Sequence, residues 1–300
     1  MGQLDWTATQ LTEATERAGK LAAMLHLDQK PENLRCLDLV GYTLVDTAIG
    51  GSDITRLDFC FLYKIPVFAN NITEPMSLRA ALDPLILRSE RDKPTLAEKF
   101  GIALALARSV LAFHSSNWLH KAVCSSNVIF FKDRNSSRLL YTEPFVSGFE
   151  FARPDTAKDR TLDTFGGVDF DIFCHPDLVQ TIQSGNSGRP RYQRQYDVYG
   201  LGVMLLEIGC WAPMTTYLKK KPRDRSNQEQ FLKTCNEAIP PRMGSQYRDV
   251  VLKCFEWGPD AEKEELGLAD TEAGRVERRS QITEFMYSVV NVLEGCHCRS

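Results

Sequence analysis

The chain has 300 residues, 43% of them hydrophobic and 25% charged, with a formal net charge of −3. That is enough for one large domain or two smaller ones, and the slight negative charge gives no basis for a nucleic-acid partner. No apolar run reaches the ~18–20 residues that a membrane span requires. The opening "MGQLDWTATQ" lacks the basic and apolar regions of a secretory signal, and Trp6 stands where a myristoylation signal carries Ser or Thr. Nine cysteines, scattered from Cys36 to Cys298 without framework spacing, suit reduced thiols in an intracellular, cytoplasmic protein. The terminal "CHC" lacks a second ligand pair at zinc-like spacing, so it reads as a frayed tail and no metal is expected.

In "LTEATERAGKLAAMLHL", Leu11, Ala14, Ala18, Leu21 and Leu25 recur at helical spacing, which predicts an amphipathic helix. "CLDLVGYTLVD" and "RLDFCFLYKIP" predict two strands joined by the turn-rich "TAIGGSD". A short helix is expected in "PMSLRAALDPLIL". A long one is expected in "KPTLAEKFGIALALARSVLAFHSSN", where Thr95 and Glu98 form a capping box and Ile102, Leu106, Val110 and Phe113 face inward. "NVIFFK" and "LLYTEPF" read as short strands around the polar turn "DRNSS". Arg153 to Tyr196 is a long irregular stretch, and such loops are usually functional or mobile. "DVYGLGVMLLEIGCW" is apolar on nearly every side, the pattern of a helix buried within a domain. The runs "KKKPRDR" and "DAEKEELGLADTEAG" read as solvated loops, and "QITEFMYSVVNVLEGC" as a final amphipathic helix.

Four phrases in this order carry more information together than singly. His120-Lys121-Ala122-Val123, with Asn127 beyond, has the outline of H-R-D-L-x-x-x-N. Gly148-Phe149-Glu150 lies where D-F-G would stand. "CHPDL" keeps the last two characters of A-P-E in Pro176 and Asp177, and "YDVYGLGVMLLEIG" is similar to the buried helix beginning D-V-x-S-x-G. From roughly Leu11 to Leu293 the chain resembles the protein-kinase-like superfamily. "RSVLAFHSSNWLHKAVCSSNVIFF" resembles the degenerate kinase-like domains of filamentous fungi that follow HeLo-type prion-inhibition domains.

The resemblance implies an α+β, protein-kinase-like fold: residues 1–66 as a truncated small lobe of a C-helix and two strands, and residues 67–300 as a mostly helical large lobe. Lys64 falls in the hinge, and nothing before it supplies a glycine-rich phosphate loop or its partner lysine. The two transfer carboxylates are replaced by Ala122 and Gly148, and the loop lysine by Cys124. Phosphoryl transfer is mostly positioning and charge neutralisation. Losing the general base costs ~10²–10⁴-fold, and Asn127 alone is a poor magnesium ligand. Glu150, two residues past Gly148, would reach inward only after a register shift, giving residual metal or nucleotide contact through Asn127 and Glu150.

The retained residues imply structural roles. His120 and Phe149 would stack in an apolar spine, Asp197 would hold the loop backbone, and Asp177 would pair with Arg275 or Arg279. Other readings stay open for single positions: acid–base work for His120, a turn residue for Asn127, and a reactive thiol for Cys124 in place of an inert one. The expectation is a catalytically inactive, kinase-like regulatory module that binds unidentified protein partners and needs no cofactor, in fungal signalling or defence. The alternative is a weak ATP- and magnesium-dependent phosphotransferase.

Overall fold

A computed structural model describes residues 8–26, 30–48, 55–69, 75–86, 89–136, 138–149, 152–155, 168–178, 192–218, 226–257 and 272–300. The fold mixes helices with small antiparallel sheets. Helix α1 (Ala8–Leu25) precedes strands β1 (Leu39–Ala48) and β2 (Thr55–Tyr63), which pair antiparallel with Leu39 opposite Tyr63 and Ala48 opposite Thr55. The "GGSD" of the expected connection, and "KKKPRDR", lie outside the described residues. A two-stranded ribbon is marginal by itself in water. This one is backed by α1, whose Leu21 and Leu25 are buried with Leu34 and Leu39.

Next come β3 (Met76–Ser77), the single-turn helix α2 (Leu78–Ala81) and the long helix α3 (Leu96–Ser115). Both halves of the capping box form at the start of α3: Glu98 N–H donates to the Thr95 hydroxyl, and Thr95 N–H to the Glu98 carboxylate. Strands β4 (Trp118–Leu119), β5 (Val128–Phe130), β6 (Phe145–Val146) and β7 (Arg153–Pro154) follow. They build two small antiparallel sheets, β3-β5-β6 and β4-β7. The remaining elements among the described residues are helices: α4 (Val168–Asp171), α5 (Arg194–Cys210), α6 (Ser226–Ala238), α7 (Pro240–Met243), α8 (Ser245–Glu256) and α9 (Glu272–His297).

Helix α5 is the centre of the molecule, with every residue from Arg194 to Gly209 buried. It packs against α3 on one side and α8 on another, while α9 runs along α3. An all-round apolar helix can be stable in water only when other elements cover every side of it. The N-terminal segment is joined to this body by side chains and backbone alike. Phe113 of α3, Phe149 and Ala152 share a core with Leu21, Leu25, Leu34 and Leu39. Ser109 Oγ donates to the Leu34 carbonyl at 2.9 Å, and Val146 N–H to the Arg35 carbonyl at 2.7 Å.

Several boundaries differ from the sequence expectation for local reasons. The helix expected in "PMSLRAALDPLIL" is a single turn, because Pro84 disfavours helical backbone at Asp83 and the Asp83 carboxylate accepts the Leu85 N–H at 2.8 Å. The strand expected in "LLYTEPF" is confined to Phe145 at its end, where β6 pairs Ile129 with Phe145 and Val128 with Val146. Before it, Leu139 makes one bridge to Lys132, and Tyr141 turns into the core with its hydroxyl on the Asp92 carbonyl at 2.8 Å. Helix α5 begins one turn early, at Arg194, and α9 begins at Glu272 rather than near Gln281. The "CHC" end is ordered rather than frayed: Cys296 and His297 form the last turn of α9, and Cys296 is buried. The stretch read as irregular carries β7, α4 and the first turn of α5 in its described parts.

Gly200 is where α5 meets the polypeptide after β4. A Cβ built there would stand 2.5 Å from the Val123 carbonyl oxygen, a backbone atom with little freedom to retreat. Gly200→Ala is therefore expected to destabilise by about 1–3 kcal/mol through overpacking, although alanine is the better helix former. Urea unfolding would measure it, and an unchanged or raised midpoint would contradict the close approach.

Candidate functional site

Of the residues singled out from sequence, His120, Ala122, Cys124, Asn127, Gly148, Phe149 and Asp197 converge between the end of α3, the loop 120–127, β6 and the start of α5. Asp197 is fully buried in the first turn of α5. One oxygen, Oδ2, accepts from the backbone N–H of His120 at 2.9 Å and from His114 Nε2 at 3.1 Å. The other, Oδ1, accepts from the Lys121 N–H and the Tyr192 hydroxyl, both at 2.9 Å. Lys121 has φ +65°, a conformation that side chains other than glycine seldom adopt. Its strain is held by the carboxylate, and its ammonium lies over the Tyr192 ring, 5.4 Å from the centroid.

Burial by itself would raise the Asp197 pKa. The His114 hydrogen bond and the neighbouring imidazoles outweigh it and hold the carboxyl below the usual carboxylate range. His114 and Tyr192 were not singled out from sequence. The available signal was a polar residue at the end of the buried face of α3, beside Phe113.

His120 is buried and forms a three-ring cluster. Its ring centroid is 5.3 Å from that of Phe113 and 5.2 Å from that of Phe149, and the two phenyl rings stack at 5.3 Å, 6° from parallel. His120 Nδ1 accepts from the Ala122 N–H at 3.3 Å. Burial pushes the imidazole pKa below its ordinary value, so the neutral ring is favoured. These contacts give His120 a packing role.

Ala122 and Cys124 are both buried, at 1% and 3% exposure. A reactive thiol needs access, and Cys124 lacks it. Asn127 Nδ2 donates to the Ala122 carbonyl at 2.9 Å, and the Asn127 carbonyl accepts from Ser147 N–H at 2.8 Å and Ser147 Oγ at 3.1 Å. Asn127 therefore ties the 120–127 loop to the strand end that carries Gly148. Gly148 has φ +82°, and a Cβ there would meet the Asn127 amide at 2.3–2.9 Å. As the loops stand, an acid at 148 and the Asn127 side chain cannot share this space.

A cavity of about 20 Å³ remains between Ala122, Cys124, Asn127 and the apolar flank of α3. That is room for roughly one water. Among the described residues no group of three or more His, Cys, Asp or Glu side chains could hold a metal ion. Glu150 lies outside the described residues. Lys64 is exposed just beyond β2, where its N–H donates to the Asp38 carbonyl at 2.8 Å.

Asp177 stands apart from this cluster. It is half-exposed, and its N–H donates to His175 Nδ1 at 3.2 Å. Arg279, one of the two arginines considered for it, is engaged elsewhere: its Nε donates to Asp155 Oδ2 at 3.0 Å, beside Arg194 Nε at 2.9 Å on the same oxygen. Asp155 was not foreseen. Spacing along the chain carries no signal that joins it to α5 and α9.

Residues 68–287 match the model of a family described as a domain of unknown function, DUF7580. No curated protein matches the sequence. No helix among the described residues is long and apolar enough to cross a membrane.

Two predictions follow from this geometry. Gly148→Ala should cost about 1–3 kcal/mol in urea unfolding, and less in an Asn127→Ala background, with a coupling of about 1 kcal/mol. Additive effects would mean that Asn127 does not fill the space over Gly148. The second concerns acid. Because the folded pKa of His120 is lowered, the unfolded chain takes up a proton below about 6.5 that the folded ring refuses, so stability falls as pH drops through that value. His175, also lowered by burial, adds to the same window. Asp197 adds a further loss below about 3.8, as pH falls toward its depressed folded value. His120→Phe keeps a stacking ring and should flatten the slope between about pH 6.5 and 5 by up to ~1.4 kcal/mol per pH unit. An unchanged slope would contradict a neutral, buried His120.

Proposed function

The chain belongs to the DUF7580 family, and we propose that it is a catalytically inactive, protein-kinase-like module that acts by binding another protein. The packing of the Asn127 amide over Gly148 carries this reading. In the fold the chain resembles, positions 122 and 148 bear the carboxylates that accept the substrate proton and hold magnesium. Here position 122 is a buried alanine, and position 148 is a glycine whose side-chain space is filled. A kinase that had only lost its charges would leave the space for them. Closure by Asn127 instead turns the cleft into a packed joint between two loops.

The groups that hold the loop's shape are buried: Asp197 with all its lone-pair partners in place, and His120 and Phe149 stacked ring against ring. That combination suits a scaffold whose value is its surface. Just beyond β2, Ile65, Val67 and Phe68 are exposed, Val67 at 85%. Adjacent exposed apolar side chains are a common mark of protein-binding surfaces. They lie along the segment the resemblance assigns to the hinge. The setting implied by the same resemblance is fungal signalling or defence.

The experiment is a thermal-shift titration with ATP, with and without magnesium, alongside phosphate release. A ligand at 100 times its Kd stabilises a protein by about 2.7 kcal/mol, which would be read as a shift of several degrees. No magnesium-dependent shift and no phosphate release are expected. A magnesium-dependent shift that Asn127→Ala abolishes would overturn the inactive reading and favour the phosphotransferase. For the binding surface, Ile65→Asp with Val67→Asp should leave Tm nearly unchanged while removing the crosslinked protein neighbours of the native chain. Retention of the same neighbours would place the surface elsewhere.

A further inference from the structure

Pro66, Val67, Phe68 and Ala69 form a β-turn, closed by the Ala69 N–H on the Pro66 carbonyl at 2.9 Å. Its two central positions are ones where Gly, Asn, Asp and Ser usually stand, because those residues supply the turn's dihedrals or bond its backbone. This chain places Val67 and Phe68 there instead, 85% and 41% exposed, with Ile65 exposed just before them. A valine and a phenylalanine at a turn tip forgo the burial that stabilises such side chains elsewhere. The turn is better fitted to a covered state than to water.

The turn is held in place by its neighbours. Ala69 is fully buried and forms an antiparallel bridge with Asp133. The Phe68 ring stacks on Phe145, with centroids 6.3 Å apart and planes 17° from parallel. Val67 therefore projects from a base that needs little reordering on binding, which lowers the cost of association. The bridge also sets Arg134 across from Phe68, in the loop that follows β5. Among the described residues, Lys132 and Arg134 make no ion pair and no side-chain hydrogen bond. The Asp133 carboxylate between them turns back on its own loop, accepting the Asn135 N–H at 2.8 Å and the Ser136 N–H at 2.9 Å. Lys64, on the other flank, is drawn to Asp38, which already pairs with Lys30.

We propose, resting on the protein-binding reading above, that this turn docks a short segment of a partner protein in which apolar residues are flanked by aspartate or glutamate. Val67 and Phe68 are its apolar anchor, and a few such residues carry most of the energy of an interface. Lys132 and Arg134 stand at the rim. Rim charges add little affinity, but they steer the encounter and penalise a partner of like charge, so they act on the choice of segment. Ile65, Val67 and Phe68 together expose on the order of 300 Å², well short of the ~800 Å² a side of a stable interface between folded proteins. That area suits a short segment. Two copies of the surface placed face to face would also oppose like charges, which disfavours a second copy of this chain as the occupant.

The whole chain would be panned against a display library of random dodecapeptides, and the enriched peptides measured by fluorescence anisotropy. Enriched peptides are expected to combine apolar residues with Asp or Glu, and to bind more weakly as sodium chloride is raised. Val67→Asp, at a position too exposed to endanger folding, should weaken them by about tenfold or more. Lys132→Glu with Arg134→Glu should reverse the preference, so that this variant enriches apolar peptides carrying Lys or Arg. No enrichment by the native chain, or enrichment indifferent to Val67→Asp, overturns the docking site. An acidic preference that is absent from the start, or that survives the double reversal, overturns the stated chemistry. A dimer of the native chain that Val67→Asp dissociates, read by sedimentation, makes a second copy the occupant and overturns the peptide segment. Each of these failures leaves the crosslinking result with Ile65→Asp and Val67→Asp standing. Retention of the native neighbours by that variant instead removes the protein-binding surface itself.

Discussion

The carboxylate of Asp197 organises the middle of this molecule. A buried, unpaired carboxylate would cost several kcal/mol, yet this one is fully enclosed and accepts four donors. They arrive from three parts of the chain: the end of α3, the loop that follows β4, and the segment just before α5. The carboxylate thus fixes the distance between the two longest buried helices and the path of the chain between them. The dependence is mutual. The His120 and Lys121 N–H groups face inward without a strand or helix partner, and a buried donor left unsatisfied costs about 1–3 kcal/mol. Lys121 holds φ +65° with its amide bonded to that carboxylate. Gly200, one turn further along α5, lets the Val123 carbonyl sit where any side chain would stand.

That anchoring separates two properties that the same loop could combine. The backbone of residues 120 and 121 is held from α5 through Asp197, not by the side chains at positions 122, 127 and 148. In this chain those three positions have closed on one another. Asn127 spends its amide on the Ala122 carbonyl and its backbone carbonyl on Ser147. Under the proposed reading, the loop keeps its architecture through Asp197 and has exchanged the cleft for a contact. The three-ring stack of Phe113, His120 and Phe149 reinforces this from the other side, carrying the N-terminal helix and strands on the same core.

The sequence made the largest elements legible because their signals are local. The Thr95–Glu98 box marks the start of α3 within four residues, and the unbroken apolar run of α5 can belong only to a covered helix. Ala18, Leu21 and Leu25 keep α1's inward face where its side chains are described. The expected joining of His120 with Phe149, and of Asp197 with the loop backbone, came from the order of motifs. Periodicity alone gives no reason for those contacts. What stayed hidden depends on three-dimensional closure. Gly148 reads as a missing acid, but its positive φ and the amide filling its side-chain space are properties of the folded loops. Asp155 lies 39 residues from Arg194 and 124 from Arg279, so no spacing rule pairs them, and Asp177 appeared the more natural partner. The lower boundary of α9 was missed because "TEAGRVERRS" has little apolar signal; its helix is held by charge and by Ile282 beyond it.

The segment 192–197 belongs both to the Asp197 site and to the surroundings of Asp155. Tyr192 donates its hydroxyl to Asp197 Oδ1. Arg194, two residues on, donates to Asp155 and to Asn117, whose own backbone carbonyl accepts the Asp155 N–H at 2.7 Å beside the β4–β7 pair. The first turn of α5 is therefore clamped between two carboxylates. The cost of the Arg194 guanidinium against the helix dipole is met by Asp155 from outside and Asp197 from within. Such a turn cannot shift by much without unpairing a buried charge on one side or the other.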